Sequence, residues 1–558
     1  MKALKSLILF PIVAILLSGC DDIKLENVYK KKEAIDNVCS SPASVFDIKH
    51  KAMLNQDPTI ADTIIVTLNE DLDIVDEDNN DISSFTSYYK KFNFEKNAFC
   101  IRVEETSTAE KFIKKYRSSY DVQDLIVVSK NKEVIQKFKA KSGIPYCGAA
   151  YDVSNLETLD YDQERMAANT IGAAVLLINQ SQIDYTKIRY TQNMAKCVWT
   201  YCDETSDADY YSCLASGAFG IVSQDMNAYN RMYNKFADFS KKVMLRSQFN
   251  IAHRGDDHNF PENTIAACES AIKSGAEALE LDFHITKDKS LVVMHDATTT
   301  KTCDKAVTIN EATDEEIRQI NVVKGFGGED LAPQPIPFFK DVVDLLNKYP
   351  DVVLYAEIKS GDEGFPKILT DAIKDNGLEN RTVIIYFESL PHPFSYIPTA
   401  YSDCHKLNPN IWGLDLMWSP ITDLSSVQFK NEHHCGYDCN ITTGLILQED
   451  YLTYMKSRGF MPAFWTLIDV EEDIKSFYGK DIYAMTNNYP CLYKDFIKTI
   501  EFSGEVGSKE VGTEYKLNAK TYIGDTKEVT GTVLCSDDND LIFSILTDDY
   551  SYVVRAGI

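Results

Sequence analysis

Short apolar runs alternate with helical patterns along most of this chain. Between residues 249 and 495 the runs Phe249–Ala252, Val352–Glu357, Thr382–Phe387, Ile411–Leu416, Thr443–Leu447, Pro462–Leu467 and Ile482–Thr486 read as buried strands. Roughly eight strand–helix units over about 250 residues predict a (β/α)8, or TIM, barrel, whose functional groups gather at the C-terminal ends of the strands. One run differs from the rest. In Ala278–Phe283, Leu279, Leu281 and Phe283 share one face, and Glu280 and Asp282 share the other. Two carboxylates on an inward face are costly without a cation. All-oxygen donors suit a hard ion, Ca²⁺ or Mg²⁺. A solvated edge strand would carry the same alternation with no ion, so the surrounding residues decide.

Those residues carry chemistry. The run from Phe249 ends on His253 and Arg254, with Gly255 as a breaker. Asn263-Thr264 can cap a helix reaching about Ser274, with Gly275 as its stop. Thr286 to Lys289 reads as a turn, and Leu291–Met294 returns as a strand ending on His295. One strand–turn–strand unit thus brings a carboxylate pair and a histidine together. Further on, Glu357 and Lys359 stand two apart and share a face.

His253-Arg254-Gly255, Pro261-Glu262-Asn263-Thr264, Glu280-Leu281-Asp282 and His295-Asp296 occur in that order. The series resembles the hallmark HRG, PENT, E-x-D and HD motifs of the glycerophosphodiester phosphodiesterase family; each is weak alone and strong in order. The resemblance implies a TIM barrel that hydrolyses glycerophosphodiesters, such as glycerophosphocholine, to glycerol 3-phosphate and an alcohol. It implies one divalent cation, Ca²⁺ or Mg²⁺, on Glu280, Asp282 and Glu357. Arg254 and Lys359 would bind the phosphate, and His253 and His295 would form the acid–base pair. Ile336-Pro337 resembles the family's IP-x-L segment. Trp465-Thr466 resembles a motif whose aromatic ring borders the substrate pocket, although a core tryptophan fits the same pattern. Two departures bear on pocket shape: Thr486-Asn487-Asn488-Tyr489-Pro490 lacks the aspartate of the family's T-D-x-P, and Lys289 stands where glycine is usual. Two rival readings are a phospholipase D-like activity on lysolipids or sphingolipids, and a non-enzymatic lipid-anchored binding or adhesion protein.

Residues 42–245 echo the second half. Ser44–Lys51 aligns with Ser247–Arg254, Ala61–Leu68 with Ala276–Phe283, and Lys196–Thr200 with Pro462–Thr466. The preserved order predicts an internal duplication. On this alignment Ile65 replaces Glu280, Thr67 replaces Asp282, Glu357 falls near Val103 and Glu104, and only His50 keeps a catalytic residue type. The first copy is therefore expected to be a degenerate, non-catalytic barrel-like domain.

Composition adds the setting. A formal charge of −27 over 558 residues argues against a nucleic-acid partner. Lys2 and Lys5 precede an apolar run from Leu7 to Leu17, too short for a span and suited to an export signal. Leu17-Ser18-Gly19-Cys20 resembles a bacterial lipobox, which implies a signal peptide at 1–19 and a lipid anchor on Cys20. The expected site is the cell envelope, on the periplasmic side of the inner or outer membrane. The expected order is a polar tether at 20–41, the degenerate copy at 42–245, the catalytic barrel at 246–500 and a β-rich appendage at 501–558. Of fourteen cysteines, thirteen remain after Cys20, and export makes disulfides plausible. Cys197 with Cys202 and Cys435 with Cys439 are the candidate local bridges.

Overall fold

The structure, a computed structural model, describes residues 38–554 less 388–399, 418–423, 441–448, 468–481, 491–498, 504–517, 523–531, 536–542 and interruptions of at most five residues. The leader, Cys20 and the tether as far as residue 37 lie outside the described residues. Among the described residues no helix is long and apolar enough to cross a membrane.

In the second half, strands Phe249–His253, Ala278–Ile285, Val353–Ile358, Thr382–Tyr386, Gly413–Met417, Gly436–Asn440, Ala463–Leu467 and Ala484–Asn487 pair in parallel in chain order. The last pairs with the first and closes a (β/α)8 barrel. Its strands are buried on both faces, as parallel strands wrapped in helices must be. Leu279, Leu281 and Phe283 pack toward the helices, beside Val342, Leu345 and Leu346 of helix Phe339–Lys348. The alternating Glu280 and Asp282 are thereby turned inward. The sixth strand lies earlier than expected: it is Gly436–Asn440, and Thr443–Leu447 lies outside the described residues. Asp438 and Asn440 occupy inward positions opposite Ala463 and Trp465, so polar residues break the apolar run that would have marked it.

The first half is also a closed barrel of eight parallel strands: Ala43–Ile48, Thr63–Leu68, Ala98–Arg102, Ile126–Ser129, Gly148–Asp152, Val175–Asn179, Cys197–Cys202 and Gly220–Ser223. In both barrels the second strand is followed by an antiparallel return. Pairing register revises the alignment of the halves. Glu280 lies opposite His253, and Ile65 lies opposite Asp47, not His50. Asp282 pairs with Glu357, and Thr67 pairs with Arg102. Keeping Ile65 with Glu280 therefore sets Asp47 against His253 and Arg102 against Glu357. His50 lies beyond its strand, 3.5 Å from Glu77. In the first barrel a guanidinium thus stands where the second has a carboxylate. Asp47 neutralises it at 2.9 Å and also accepts from the Tyr201 hydroxyl at 2.8 Å. The echo misled by three residues, an odd shift that exchanges the two faces, because in strands buried on both sides helix-facing and inward-facing residues read alike.

The barrels meet at the N-terminal ends of their strands. Thr63, the first residue of its strand, donates to the Ser457 carbonyl at 2.7 Å. Arg189 donates to Glu277, just before strand Ala278–Ile285, at 2.9 Å. The Tyr355 hydroxyl, inside the second barrel, donates to the Asn193 carbonyl at 2.9 Å. Arg458 grips Asp124 at 3.0 Å, with both side chains buried. One apolar cluster runs from Val45, Ile65 and Trp199 inside the first barrel to Phe249, Ile251 and Tyr355 inside the second. The C-terminal ends of the two strand sets therefore point in opposite directions.

The C-terminal strands Thr532–Cys535, Phe543–Leu546 and Tyr550–Val554 join Lys242–Met244, between the barrels, and Val38–Cys39, ahead of the first. Ten of the described cysteines, Cys197, Cys202, Cys435 and Cys439 among them, form no disulfide. Cys197 and Cys202 end one strand and are about 16 Å apart along it; Cys435 and Cys439 are about 13 Å apart, whereas a bridge needs about 4.4–6.8 Å. Neither local bridge can form.

Lys289 takes φ +69 in the turn after Ala278–Ile285. A side chain there crowds its own carbonyl, and glycine does not. Lys289→Gly is expected to stabilise the protein by about 0.5–1 kcal/mol after the loss of unfolded-chain restriction is offset. Urea unfolding of both proteins checks this.

Candidate functional site

Strand Phe249–His253 delivers His253 and Arg254 to the mouth of the second barrel, where the chain must turn at once. Arg254 adopts φ +57 and Gly255 φ +86. A Cβ on Gly255 would come within 2.7 Å of the Ala267 carbonyl carbon, so only glycine lets helix Ile265–Lys273 pack this close. The helix then begins as the sequence predicted: Thr264 caps it, accepting from the Ala267 amide at 3.3 Å, and Gly275 ends it with φ +100. Asn263 does something else. Held at φ +59, it donates through Nδ2 to Asp282 Oδ2 at 2.8 Å. Glu262 receives Arg254 Nη1 at 3.0 Å. Each residue of the PENT segment after the proline thus has a separate task.

Glu280, Asp282 and Glu357 each offer an oxygen within 4.8 Å of the others, and all three are buried. Lys359 pairs with Glu357 and lies 3.3 Å from Asp282 Oδ1. Arg254 Nε lies 3.4 Å from Asp282 Oδ2. Counting Glu262, four buried carboxylates face two cations. Burial, then the nearness of Asp282 and Glu357, pushes the Glu280 carboxyl well above its ordinary range. Burial also raises Glu357, against the pull of Lys359. Burial opposes ionisation of Asp282 too, but Lys359, His295 and Arg254 outweigh it and hold that group low. Glu280 Oε1 has no hydrogen-bond partner despite full burial, and Asp282 Oδ1 has the Lys359 ion pair but no hydrogen bond. Unsatisfied carboxylate oxygens converging in a desolvated pocket fit a divalent cation, which would supply the missing charge and ligands.

The imidazoles have unlike partners. His253 Nδ1 lies 2.5 Å from Asn488 Oδ1, and its Nε2 lies 3.9 Å from Glu280 Oε2. His295 Nδ1 lies 2.6 Å from Asp296 Oδ1. Trp465 is half-buried, edge-on to Phe387 with ring centroids 5.9 Å apart, and donates to the Asp438 carbonyl. The geometry therefore brings together His253, Arg254, Glu280, Asp282, Glu357 and Lys359, with Asp282 and Glu357 drawing on His295 electrostatically. The sequence reading did not single out Asn263 as a carboxylate anchor, nor Asn488. Asn488 sits in the segment noted only for its missing aspartate, and its partner is 235 residues away.

Loss of the Asn263 amide would free Asp282 Oδ2. Asn263→Ala is expected to weaken cation affinity by about 10- to 100-fold, as losses of groups that orient a metal ligand do. Titration of the metal-free protein with Ca²⁺ or Mg²⁺ reads this directly.

Fold and site define a class: a (β/α)8 barrel protein with a carboxylate–imidazole centre at the C-terminal ends of its strands. The model of the glycerophosphoryl diester phosphodiesterase family matches residues 253–471. A glycerophosphodiester phosphodiesterase of Caldanaerobacter subterraneus is 41% identical over 140 residues, covering 25% of this chain and 57% of the relative. One from Bacillus altitudinis is 28% identical over 190 residues, covering 33% and 74%. Human glycerophosphodiester phosphodiesterase 1 is 28% identical over 254 residues, covering 41% and 73%. The chain thus spans little more than half of the first of these relatives and about three quarters of the other two. The second barrel is thus the part of this chain that is similar to the glycerophosphoryl diester phosphodiesterase family.

Proposed function

We propose that the second barrel hydrolyses glycerophosphodiesters to glycerol 3-phosphate and an alcohol. The observation that carries the reading is the convergence of three buried carboxylates, an arginine, a lysine and a histidine at one barrel mouth. Glu280, Asp282 and Glu357 would hold one divalent cation, Ca²⁺ or Mg²⁺. When bound, such an ion withdraws charge from phosphoryl oxygens. Arg254 and Lys359 sit beside the same carboxylates and would orient the phosphate and stabilise charge developing on it.

The partners of the histidines divide the proton work. The Asn488 carbonyl oxygen only accepts, so His253 carries its proton on Nδ1 and leaves Nε2 bare toward Glu280. His253 is the base for the attacking hydroxyl, whether of water or of the substrate's glycerol. His295 has the Asp296 carboxylate at its Nδ1, which accepts from that nitrogen and orients the ring. His295 is the acid that protonates the leaving alkoxide. Trp465 would border the alcohol side of the pocket. The lipobox-like leader supports lipidation of Cys20 and attachment to the bacterial envelope, and Cys20→Ser should release the protein from membranes into the soluble fraction.

The test is release of glycerol 3-phosphate from glycerophosphocholine by protein lacking residues 1–20, with Ca²⁺, with Mg²⁺ and with EDTA. Activity that EDTA removes and one of the two ions restores is expected. Inactivity with both ions, alongside turnover of lysophosphatidylcholine, would replace this reading with the lysolipid one. Inactivity on both substrates would leave a binding protein.

A further inference from the structure

A third histidine belongs to this centre. His284 lies two residues beyond Asp282 on strand Ala278–Ile285, and so shares the inward face of Glu280 and Asp282. It is buried, 5% exposed. Its Nε2 lies 3.2 Å from the main-chain carbonyl of His295. A carbonyl only accepts, so Nε2 carries the proton and donates.

That bond falls where the ladder stops. The strand return is paired at Phe283 with Val293, His284 with Val292 and Ile285 with Leu291. The Met294 amide makes one more bond, to the Asp282 carbonyl at 2.9 Å. His295 is the next residue and has left the ladder. Its ring is turned by Asp296, but Asp296 is its own chain neighbour and cannot tie it to the strand that carries the carboxylates. The His284 ring makes that tie across eleven residues.

We propose that His284 is a positioning residue, which locks the main chain of His295 to the strand bearing Glu280 and Asp282 and so fixes the His295 imidazole relative to the cation site. Its own proton is committed to a carbonyl, so it takes no part in proton transfer. The inference rests on the proposed role of His295. A displacement of about 1 Å in a reacting group can cost on the order of 100-fold in rate.

The test compares His284→Leu, which removes the donor at similar bulk, with His284→Gln, whose amide N–H can replace it. Each is assayed for kcat, KM and cation affinity, and each gives ring ¹⁵N spectra of its histidines. In His284→Leu, kcat is expected to fall at least 10-fold, with KM and cation affinity within about threefold of the parent and a broadened His295 ring signal. His284→Gln is expected to restore both kcat and the sharp signal. The idea is overturned if His284→Leu keeps parental kcat, if His284→Gln is as impaired as His284→Leu, or if cation affinity falls in step with activity. Should His284→Leu fail to fold, His284→Ala takes its place in the same comparison. A parent protein that is inactive, yet shows His295 broadening in His284→Leu and recovery in His284→Gln, would sink the hydrolase reading and leave the positioning role standing.

Discussion

Glu280→Gln is expected to abolish cation-dependent hydrolysis while leaving the metal-free protein at least as stable as its parent. Glutamine matches the shape of glutamate and removes its charge, so the cation loses one of three carboxylates with no cavity made. Activity should fall on the order of 10³-fold or more, because both ion and phosphate alignment depend on that oxygen. Stability should move the other way. Glu280 is buried and crowded by Asp282 and Glu357, which together make its ionised form costly. A neutral amide relieves that cost. Melting temperatures in EDTA, set beside kcat/KM with Ca²⁺ or Mg²⁺, test both halves. A variant that stays active would remove Glu280 from the cation site, and one that melts early in EDTA would show the carboxylate to be structural.

The second large effect lies far from the chemistry. Asp124→Ala leaves the Arg458 guanidinium buried between the barrels without its carboxylate. Breaking a buried pair on one side costs about 3–5 kcal/mol, because the orphaned charge has no water. Arg458 also donates to the Tyr454 carbonyl, but one backbone bond does not neutralise it. Removing both partners, as in Asp124→Ala with Arg458→Met, should recover much of the loss. Urea unfolding midpoints of the parent, the single and the double variant check this. A single variant that unfolds with the parent would mean that water reaches Arg458.

The interface also bears on what the first barrel can do. Its strands meet the second barrel at their N-terminal ends, through Thr63, Arg189 and Asn193. The mouth with Glu280 and Glu357 opens on the far side. The described residues of the first barrel therefore support the floor of the second. Its own mouth carries the Asp47–Arg102 pair at the positions that register sets against His253 and Glu357. Among the described residues, the carboxylates grouped closely enough to share a cation are Glu280, Asp282 and Glu357 of the second barrel.

Much of the site was readable from the amino-acid order, because His253, Arg254, Glu280, Asp282 and His295 fall within one short stretch. There a strand, a capped helix, a strand and a turn follow one another, and local rules suffice. Period-two alternation alone put Glu280 and Asp282 on one face and the leucines on the other. What the order could not contain was set by pairing. Asn488 reaches His253 across 235 residues, through closure of the last strand onto the first. The sixth strand stayed hidden because Asp438 and Asn440 face inward, where only the closed sheet makes polar residues tolerable. The exchange of Glu357 for Arg102 emerged from hydrogen-bond register, since strands buried on both faces carry too little alternation to fix a shift between copies. The joining of the barrels floor to floor depends on buried contacts between residues more than a hundred positions apart, such as Thr63 with Ser457 and Asp124 with Arg458. Patterns of burial say that a residue is covered; only the assembled chain says by what.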